Sequence, residues 1–431
     1  MLTQRMRQLP SDTILWISAS GEPTTVQDAA HWPEGKRYRG KSVALWFSDS
    51  NQLARAILAL DGSAARFLLL APGTSSETGS QLISQFGAEV ILTDADTESL
   101  TADPEANIPT AWVIPTSGTT GNPKLVVHTF GSLTKTVKSN AEVGRQFRWG
   151  QLYDLARFAG LQVFLNSILS GSTLVFTRAS DPLGERVSHL ARHGCNALSA
   201  TPTLWRKILM MPESCELNPR QITLGGEIVD QPILNALRAQ YPEARISHIY
   251  ASTEAGAAFT VNDGTAGFPR RLLDSPPAGL ELKVDADGFL LIRPTVREQS
   301  YLDGGTRLFD DEGFVNTGDL VRTTEDRVFF LGRANGTINV GGNKVPPEEV
   351  ESFLHTIPGV RVARVYGKQS SITGTLVAAD IQAETGVTEL DALRRVIASR
   401  CAQSLPGYKV PAMIRFVSDI QTNGTGKVVR R

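Results

Sequence analysis

Short apolar runs alternate with helical spacing along the first third of the chain, and that order leaves few ways to fold. SVALWF at 42–47, RFLLLA at 66–71 and AEVILT at 88–93 each have the length of a buried strand rather than of a helix. Leu53, Ile57 and Leu60 fall at helical spacing between the first two, and a second helical stretch surrounds Leu82, Ile83 and Phe86. Consecutive strands separated by helices make a parallel sheet with helices on its faces, because a parallel pair needs a long crossover. The alternation resumes with STLVFT at 172–177, a helix through Val187 and Leu190, ALSA at 197–200 and QITLGGE at 221–227. The segment YDLARFAGLQVFLNSILSG, 153–171, is too apolar for a surface helix and is expected inside.

From about residue 280 the pattern changes. LELKVDADGFLLIRP, 280–294, reads as two strands joined at Asp285 to Gly288, and GFVNTGDLVRTTEDRVFFLGR, 313–333, as a second pair turning near Glu325 and Asp326. Beyond Arg333 a smaller α/β unit begins. Pro346 and Pro347 announce its helix, Glu348 and Glu349 complement the helix dipole, and Val350, Phe353, Leu354 and Ile357 form its core stripe. Asn335 and Gly336 in RANGT suit a turn or hinge. The expected class is therefore α/β. A large N-terminal domain (1–333) of parallel sheets flanked by helices carries a small β-barrel-like part, and a small mobile α+β domain (334–431) follows.

Charge and cysteine usage narrow the function. Lys plus Arg (43) nearly balances Asp plus Glu (44), which argues against a general affinity for nucleic acid or anionic membranes. Cys195, Cys215 and Cys401 are scattered without metal-ligand spacing. With no apolar run long enough to span a bilayer or serve as a signal, a reducing cytoplasm is the expected location.

The stretch AWVIPTSGTTGNPKLVVHT, 111–129, carries the clearest chemistry. An apolar strand enters Thr116, Ser117, Gly118, Thr119, Thr120 and Gly121, and Pro123 and Lys124 close the loop before a second β-prone run. Glycines let main-chain N–H groups approach an oxyanion, hydroxyls add short donors, and Lys124 adds a point charge. That equipment suits a polyphosphate. The spacing is not that of a Walker A loop, and Pro123 blocks the usual entry of its lysine into a helix.

The loop resembles the signature of the adenylate-forming enzyme superfamily: acyl- and aryl-CoA synthetases, nonribosomal peptide synthetase adenylation domains and luciferases. Further segments resemble that family's motifs in order: TLGGE (223–227), YASTEAG (250–256), NTGDLV (316–321), LGRANGTINVGGNKVPPEEVE (331–351) and the final LPGYKVPAMIRFVSDIQTNGTGKVVRR. The matches run from residue 111 to 431 and look most like a short aryl- or acyl-CoA ligase.

The resemblance implies that a substrate carboxylate attacks the α-phosphate of ATP, pyrophosphate leaves, and the acyl group passes to the thiol of CoA or of a carrier-protein phosphopantetheine. It implies that Glu254 holds Mg²⁺, Thr253 donates to the α-phosphate, and Tyr250 stacks on adenine beside the main chain of Gly225, Gly226 and Glu227. Asp319 would accept from the ribose with help from Arg333, Gly341 and Gly342 would let the pantetheine arm pass, and Asn335 would be the pivot. Lys427 would be the cation that enters the site during adenylation. Leu125 stands where the family usually has glycine, Arg157 stands where it has a gating His or aromatic, and the lead-in before the loop is short.

Pocket walls are expected from Arg157, Phe158 and Gly160, with Ala251 and Ala257 opposite, a compact slot for an aryl or small unsaturated acid. The implied partners are a small carboxylic acid and, where the acceptor is protein-borne, an acyl carrier protein; a monomer or homodimer is expected. Two alternatives stay open: an adenylate-only activator that passes its acyl group to an amine, and a catalytically dead nucleotide-binding regulator.

Overall fold

A computed structural model of the protein describes residues 1–30, 35–99, 107–116, 123–137, 140–303, 307–370, 374–422 and 427–428. The alternating strands of the first third enter a six-stranded sheet ordered Ser300–Tyr301, Leu125–His128, Ala111–Pro115, Arg66–Leu69, Ser42–Trp46, Val90–Thr93. Its last four strands are mutually parallel, as the crossovers require, while Leu125–His128 returns antiparallel after the Thr116 loop. The later alternation forms an eight-stranded sheet whose centre holds Arg245–Ser252, Gln221–Gly225, Ala197–Ala200 and Arg148–Gly150, all parallel.

Local signals set the helices on these sheets. Asp49 and Ser75 cap Ser50–Leu60 and Ser76–Phe86 through main-chain N–H groups, and Gly87, at φ +69°, ends the second. Thr201 caps Pro202–Leu209, with proline at its first position where no N–H is needed. Helix Phe158–Ser170 is interior, as its composition predicts: Phe164, Leu165 and Ile168 are fully buried and share one core with Trp16 and Phe176.

The β-rich part after residue 280 is a five-stranded antiparallel sheet, ordered Phe268–Pro269, Arg327–Arg333, Val315–Thr323, Phe289–Pro294, Leu280–Val284. Beyond it, hairpin Ile338–Val340/Asn343–Val345 and helix Pro347–Leu354 precede a three-stranded sheet of Val360–Ser370, Gly374–Ala383 and Met413–Phe416. Helix Leu390–Ser404 makes the crossover between the last two, which are parallel. This region has its own hydrophobic core, centred on Val345, Val350, Val365, Ile381, Ile397 and Cys401. Among the described residues no helix is long and apolar enough to cross a membrane.

The consequence for function lies at the carboxyl ends of the parallel strands, where α/β sheets leave their crevices. Ala197–Ala200 ends into Thr201, Gln221–Gly225 into Gly226 and Glu227, Arg245–Ser252 into Thr253 and Glu254, and Ala111–Pro115 into Thr116.

Candidate active site

Thr116 and Lys124 close the neck of the glycine-rich loop. The Thr116 N–H donates to the Lys124 carbonyl at 2.8 Å, and the Lys124 N–H donates to Thr116 Oγ1 at 3.0 Å. The Lys124 ammonium lies 4.6 Å from the ring centroid of Tyr301, a cation–π contact. Ser117, Gly118, Thr119, Thr120 and Gly121 lie outside the described residues.

Tyr250, near the end of strand Arg245–Ser252, sits in an aromatic group. Its ring is nearly parallel to Phe330 and Phe259, with centroids 4.8 and 5.3 Å away. The phenol donates to Asp319 Oδ2, and the other carboxylate oxygen accepts from Arg333 Nε at 3.0 Å. Asp319 and Arg333 are direct cross-strand partners, so the antiparallel register itself delivers the pair. Burial and the adjacent Asp319 charge push the Tyr250 phenol well up, keeping it a neutral donor. Asp319 retains lone pairs for further donors, because an ionised carboxylate accepts about four hydrogen bonds.

Thr253 and Glu254 occupy the turn between Arg245–Ser252 and Gly256–Val261. Ser252 Oγ accepts from the Ala255 N–H at 2.9 Å, and Lys135 Nζ donates to the Ala255 carbonyl at 3.2 Å, so the turn is tied from both sides. His128 is buried, its ring 5.7 Å from that of Phe158, and burial lowers its pKa to about 4, which keeps it neutral. The negative charge of Glu254 bears on Tyr301, Arg333 and Lys427. Among the described residues no three His, Cys, Asp or Glu side chains converge on a metal position. Glu254, a single carboxylate near Lys427 and Arg333, has the chemistry to give one oxygen ligand to Mg²⁺ carried in on a polyphosphate.

Lys427 reaches this crevice from the far end of the chain. Its Cε lies 3.2 Å from the place a Cβ would take on Gly226, whose φ is +81°. Burial first, then the Arg333 charge, lower the Lys427 pKa, while Glu227, Asp319 and Glu254 oppose them. The next residue, Val428, donates its N–H to Glu227 Oε1 at 3.1 Å. Glu227 Oε2 accepts from the Thr203 N–H at 3.0 Å, and Tyr153 OH donates to the Gly225 carbonyl at 3.2 Å. Lys427, Gly226, Glu227, Glu254, Asp319 and Arg333 thus meet in one place, although their segments are far apart in sequence.

The expected acid-pocket residues divide. Ala251 and Ala257 face each other across a bulged hairpin. Arg157, at the N-cap of Phe158–Ser170, lines a cavity of about 230 Å³ with Gly73, Ser75, Pro115, Pro123 and Ala156. Phe158, Gly160, Ala251 and Ala257 are not part of that lining. Gly160 has a packing reason to be glycine: a Cβ there would stand 2.0 Å from the Asp154 carbonyl oxygen. Gly341 and Gly342, at φ +56° and +91°, form an exposed two-residue hairpin turn, and Asn335 is exposed in the short 3₁₀ turn Ala334–Gly336.

Sequence reading did not anticipate the contacts that seat the C-terminal region. Asp230 holds Arg206 Nη2 through both oxygens, at 2.5 and 2.6 Å, and its Oδ2 also meets His355 Nδ1 at 2.9 Å. His355 Nε2 accepts from the Ala363 N–H at 3.1 Å, so the neutral ring with its proton on Nδ1 satisfies both partners. Lys207 Nζ donates to the Ile420 carbonyl at 2.9 Å and to Asp419 at 3.2 Å. The one local signal was Asp230 before Gln231 and Pro232, which marks a helix cap; nothing local points to His355.

Comparison with known proteins identifies relatives of the chain. Residues 102–291 match the AMP-binding enzyme family and residues 349–427 the AMP-binding enzyme C-terminal domain. The chain is 28% identical over 346 residues to the 2-succinylbenzoate–CoA ligase of Bacillus pumilus (strain SAFR-032), covering 74% of this chain and 68% of that one. The anthranilate CoA ligase AuaEII in complex with anthranoyl-AMP superposes with a TM-score of 0.81 at 17% identity, covering 99% of this chain and 95% of that one. The o-succinylbenzoate coenzyme A synthetase (MenE) of Bacillus subtilis, in complex with ATP and magnesium ion, superposes with a TM-score of 0.74 at 20% identity, covering 99% and 98%.

Proposed function

This chain belongs to the AMP-binding enzyme family, and we propose that it is an AMP-forming ligase joining an aryl or small unsaturated carboxylic acid to the thiol of CoA. The observation that carries this reading is the meeting of Lys427 with Glu254, Asp319 and Arg333 beside Gly226. Charge that develops on a phosphoryl group needs fixed cations and donors aimed at it, and this crevice supplies them.

In the first step a carboxylate oxygen bonds to the α-phosphorus of ATP, the bond from that phosphorus to the β-phosphate oxygen breaks, and pyrophosphate leaves. Thr116 to Lys124 cradle the polyphosphate, and Lys427 and the Thr253 hydroxyl neutralise the α-phosphate oxygens. Asp319 and Arg333 take the ribose hydroxyls, and the main chain of Gly225 to Glu227 borders adenine. Glu254 contributes one ligand to the magnesium that ATP brings. In the second step the CoA sulfur bonds to the acyl carbon, AMP leaves, and the thiol proton goes to solvent. The 334–431 body turns about Asn335 between the steps, so that the Gly341–Gly342 turn replaces Lys427 at the site.

An aromatic acid is favoured by relatives that act on 2-succinylbenzoate and anthranilate, and by the small facing pair Ala251 and Ala257. Acid-dependent exchange of labelled pyrophosphate into ATP, run with a panel of aryl and short unsaturated acids, tests the first step. Exchange with at least one aryl acid is expected, and none with any acid would overturn the reading. Supplying free CoA or carrier-bound phosphopantetheine after adenylation identifies the acceptor; AMP release with free CoA is expected.

A further inference from the structure

Defined contacts hold the C-terminal segment on either side of Lys427, at Ile420 and at Val428. Thr422 and Val428 form an isolated antiparallel bridge that pinches its neck. Lys207 grips the Ile420 carbonyl on one side. On the other side Val428 donates its N–H to the Glu227 carboxylate, 201 residues away in sequence.

Both oxygens of that carboxylate are used. Oε1 accepts from Val428 and Oε2 accepts from Thr203, in the first turn of helix Pro202–Leu209, where main-chain N–H groups lack helical partners. The same helix carries Lys207, and Arg206 links it through Asp230 to His355. A single carboxylate therefore joins the start of a rigid helix to the residue that follows the catalytic lysine. The glycine at 226 leaves the space through which the Lys427 stem passes alongside.

We infer that Glu227, through its side chain, is the positioning residue that seats Lys427 for adenylation. This goes beyond a main-chain contact with adenine and rests on the function proposed above. The pairing requires a carboxylate. A glutamine can accept at one oxygen only, and its amide hydrogens would then confront the second N–H, so Glu227→Gln loses one of the two ties. Removing the side chain in Glu227→Ala loses both.

Two measurements on the full chain test this. In the first, pyrophosphate exchange should fall about 10²-fold in Glu227→Ala and less in Glu227→Gln, the scale expected when a catalytic group is misplaced by about an ångström. The loss should fall on kcat, with KM for ATP nearly unchanged, because adenine meets only the main chain of Glu227, which the substitution keeps, and ribose is held by Asp319 and Arg333. Thioester formation from a chemically prepared acyl-adenylate should stay at the wild-type rate. Equal loss in both half-reactions, or a rise confined to KM for ATP, would overturn the inference. In the second, amide hydrogen exchange of the 419–428 segment should quicken in Glu227→Ala and, to a smaller extent, in Glu227→Gln. This arm needs no activity and compares variants that share the wild-type thermal midpoint. Unchanged amide exchange overturns the inference whatever the rates do. If the wild type exchanges no pyrophosphate, the ligase reading fails, and the amide arm alone decides whether Glu227 holds the tail.

Discussion

Lys427 and Gly226 fit together: Lys427 Cε passes 3.2 Å from where a Cβ on Gly226 would stand, and Gly226 has a φ of +81°. An alanine at 226 would meet both difficulties, a left-handed backbone costing roughly 1–2 kcal/mol and a methyl group in the path of the lysine stem. Gly226→Ala should therefore slow pyrophosphate exchange by about tenfold or more while leaving thioester formation from preformed acyl-adenylate close to wild type.

Removing the charge should be more severe. Lys427→Ala is expected to slow adenylate formation by ~10²-fold or more, as for the loss of one transition-state charge stabiliser. Thioester formation from acyl-adenylate should be spared. Rapid-quench measurement of each half-reaction decides it, and equal damage to both steps would refute the assignment of Lys427 to the first.

Docking of the C-terminal region should weaken in acid. Burial, reinforced by the nearby Arg206 charge, lowers the His355 pKa below its ordinary 6.5, against the opposing pull of Asp230 and Glu227. A group whose pKa is lowered on docking favours the docked form above its ordinary value and loses that preference as pH falls below it. Burial works to raise Asp230, but the Arg206 charge and the His355 hydrogen bond overcome it and hold its pKa at about 2. The contribution of Asp230 is thus complete above about pH 4 and lost as the pH falls through about 2. Protection of helix Pro347–Leu354 and of the 419–422 segment from amide exchange, taken relative to the intrinsic rate at each pH, should fall between about pH 7 and 5 in the wild type. That dependence should be flattened in His355→Gln.

Asp230→Ala strips a buried guanidinium of its partner, Arg206 and Asp230 side chains being 10% and 8% exposed. Breaking a buried pair from one side costs about 3–5 kcal/mol, so denaturant unfolding should show a loss of that order. A loss under about 1 kcal/mol would place the pair among contacts of surface strength.

Tyr250→Phe removes the phenol that donates to one Asp319 oxygen and leaves Arg333 hydrogen-bonded to the other. Loss of a hydrogen bond to a charged group should cost about 1.5–3 kcal/mol of stability. Because Asp319 is assigned to the ribose, KM for ATP should rise more than kcat falls. The reverse split would argue against that assignment.

Gly160→Ala tests packing against pocket size. The added Cβ would stand 2.0 Å from the Asp154 carbonyl oxygen and 3.0 Å from Gln151 Nε2. Overpacking of this kind costs about 1–3 kcal/mol, so the melting temperature should fall even without substrate. An unchanged melting temperature with raised KM only for bulky acids would instead make Gly160 a pocket wall.

Much of the framework was legible in sequence because it rests on short-range physics. SVALWF, RFLLLA and ALSA are strands, and Phe158–Ser170 is buried, because side-chain periodicity and β-branching act over a few residues. Strand ends shifted slightly, as at Val90 rather than Ala88, where the terminal residues lack ladder partners. The cross-strand meeting of Asp319 with Arg333 followed once the hairpin of 313–333 was recognised. That Arg157 lines a cavity without Ala251 and Ala257 did not follow, since Arg157 caps a helix whereas the two alanines are cross-strand partners in a hairpin.

By itself the sequence determined the strand–helix alternation, the glycine turns with positive φ, the helix caps and the residue types able to handle a polyphosphate. Each depends on neighbours along the chain, so each is written locally. Only the tertiary structure decided which charge meets which: that Glu227 spends its carboxylate on Val428 and Thr203, that Asp230 joins Arg206 to His355, and that Lys427 lies against Gly226. Hydrogen bonds and ion pairs form over about 3 Å, and chain packing alone brings residues some 200 positions apart within that distance.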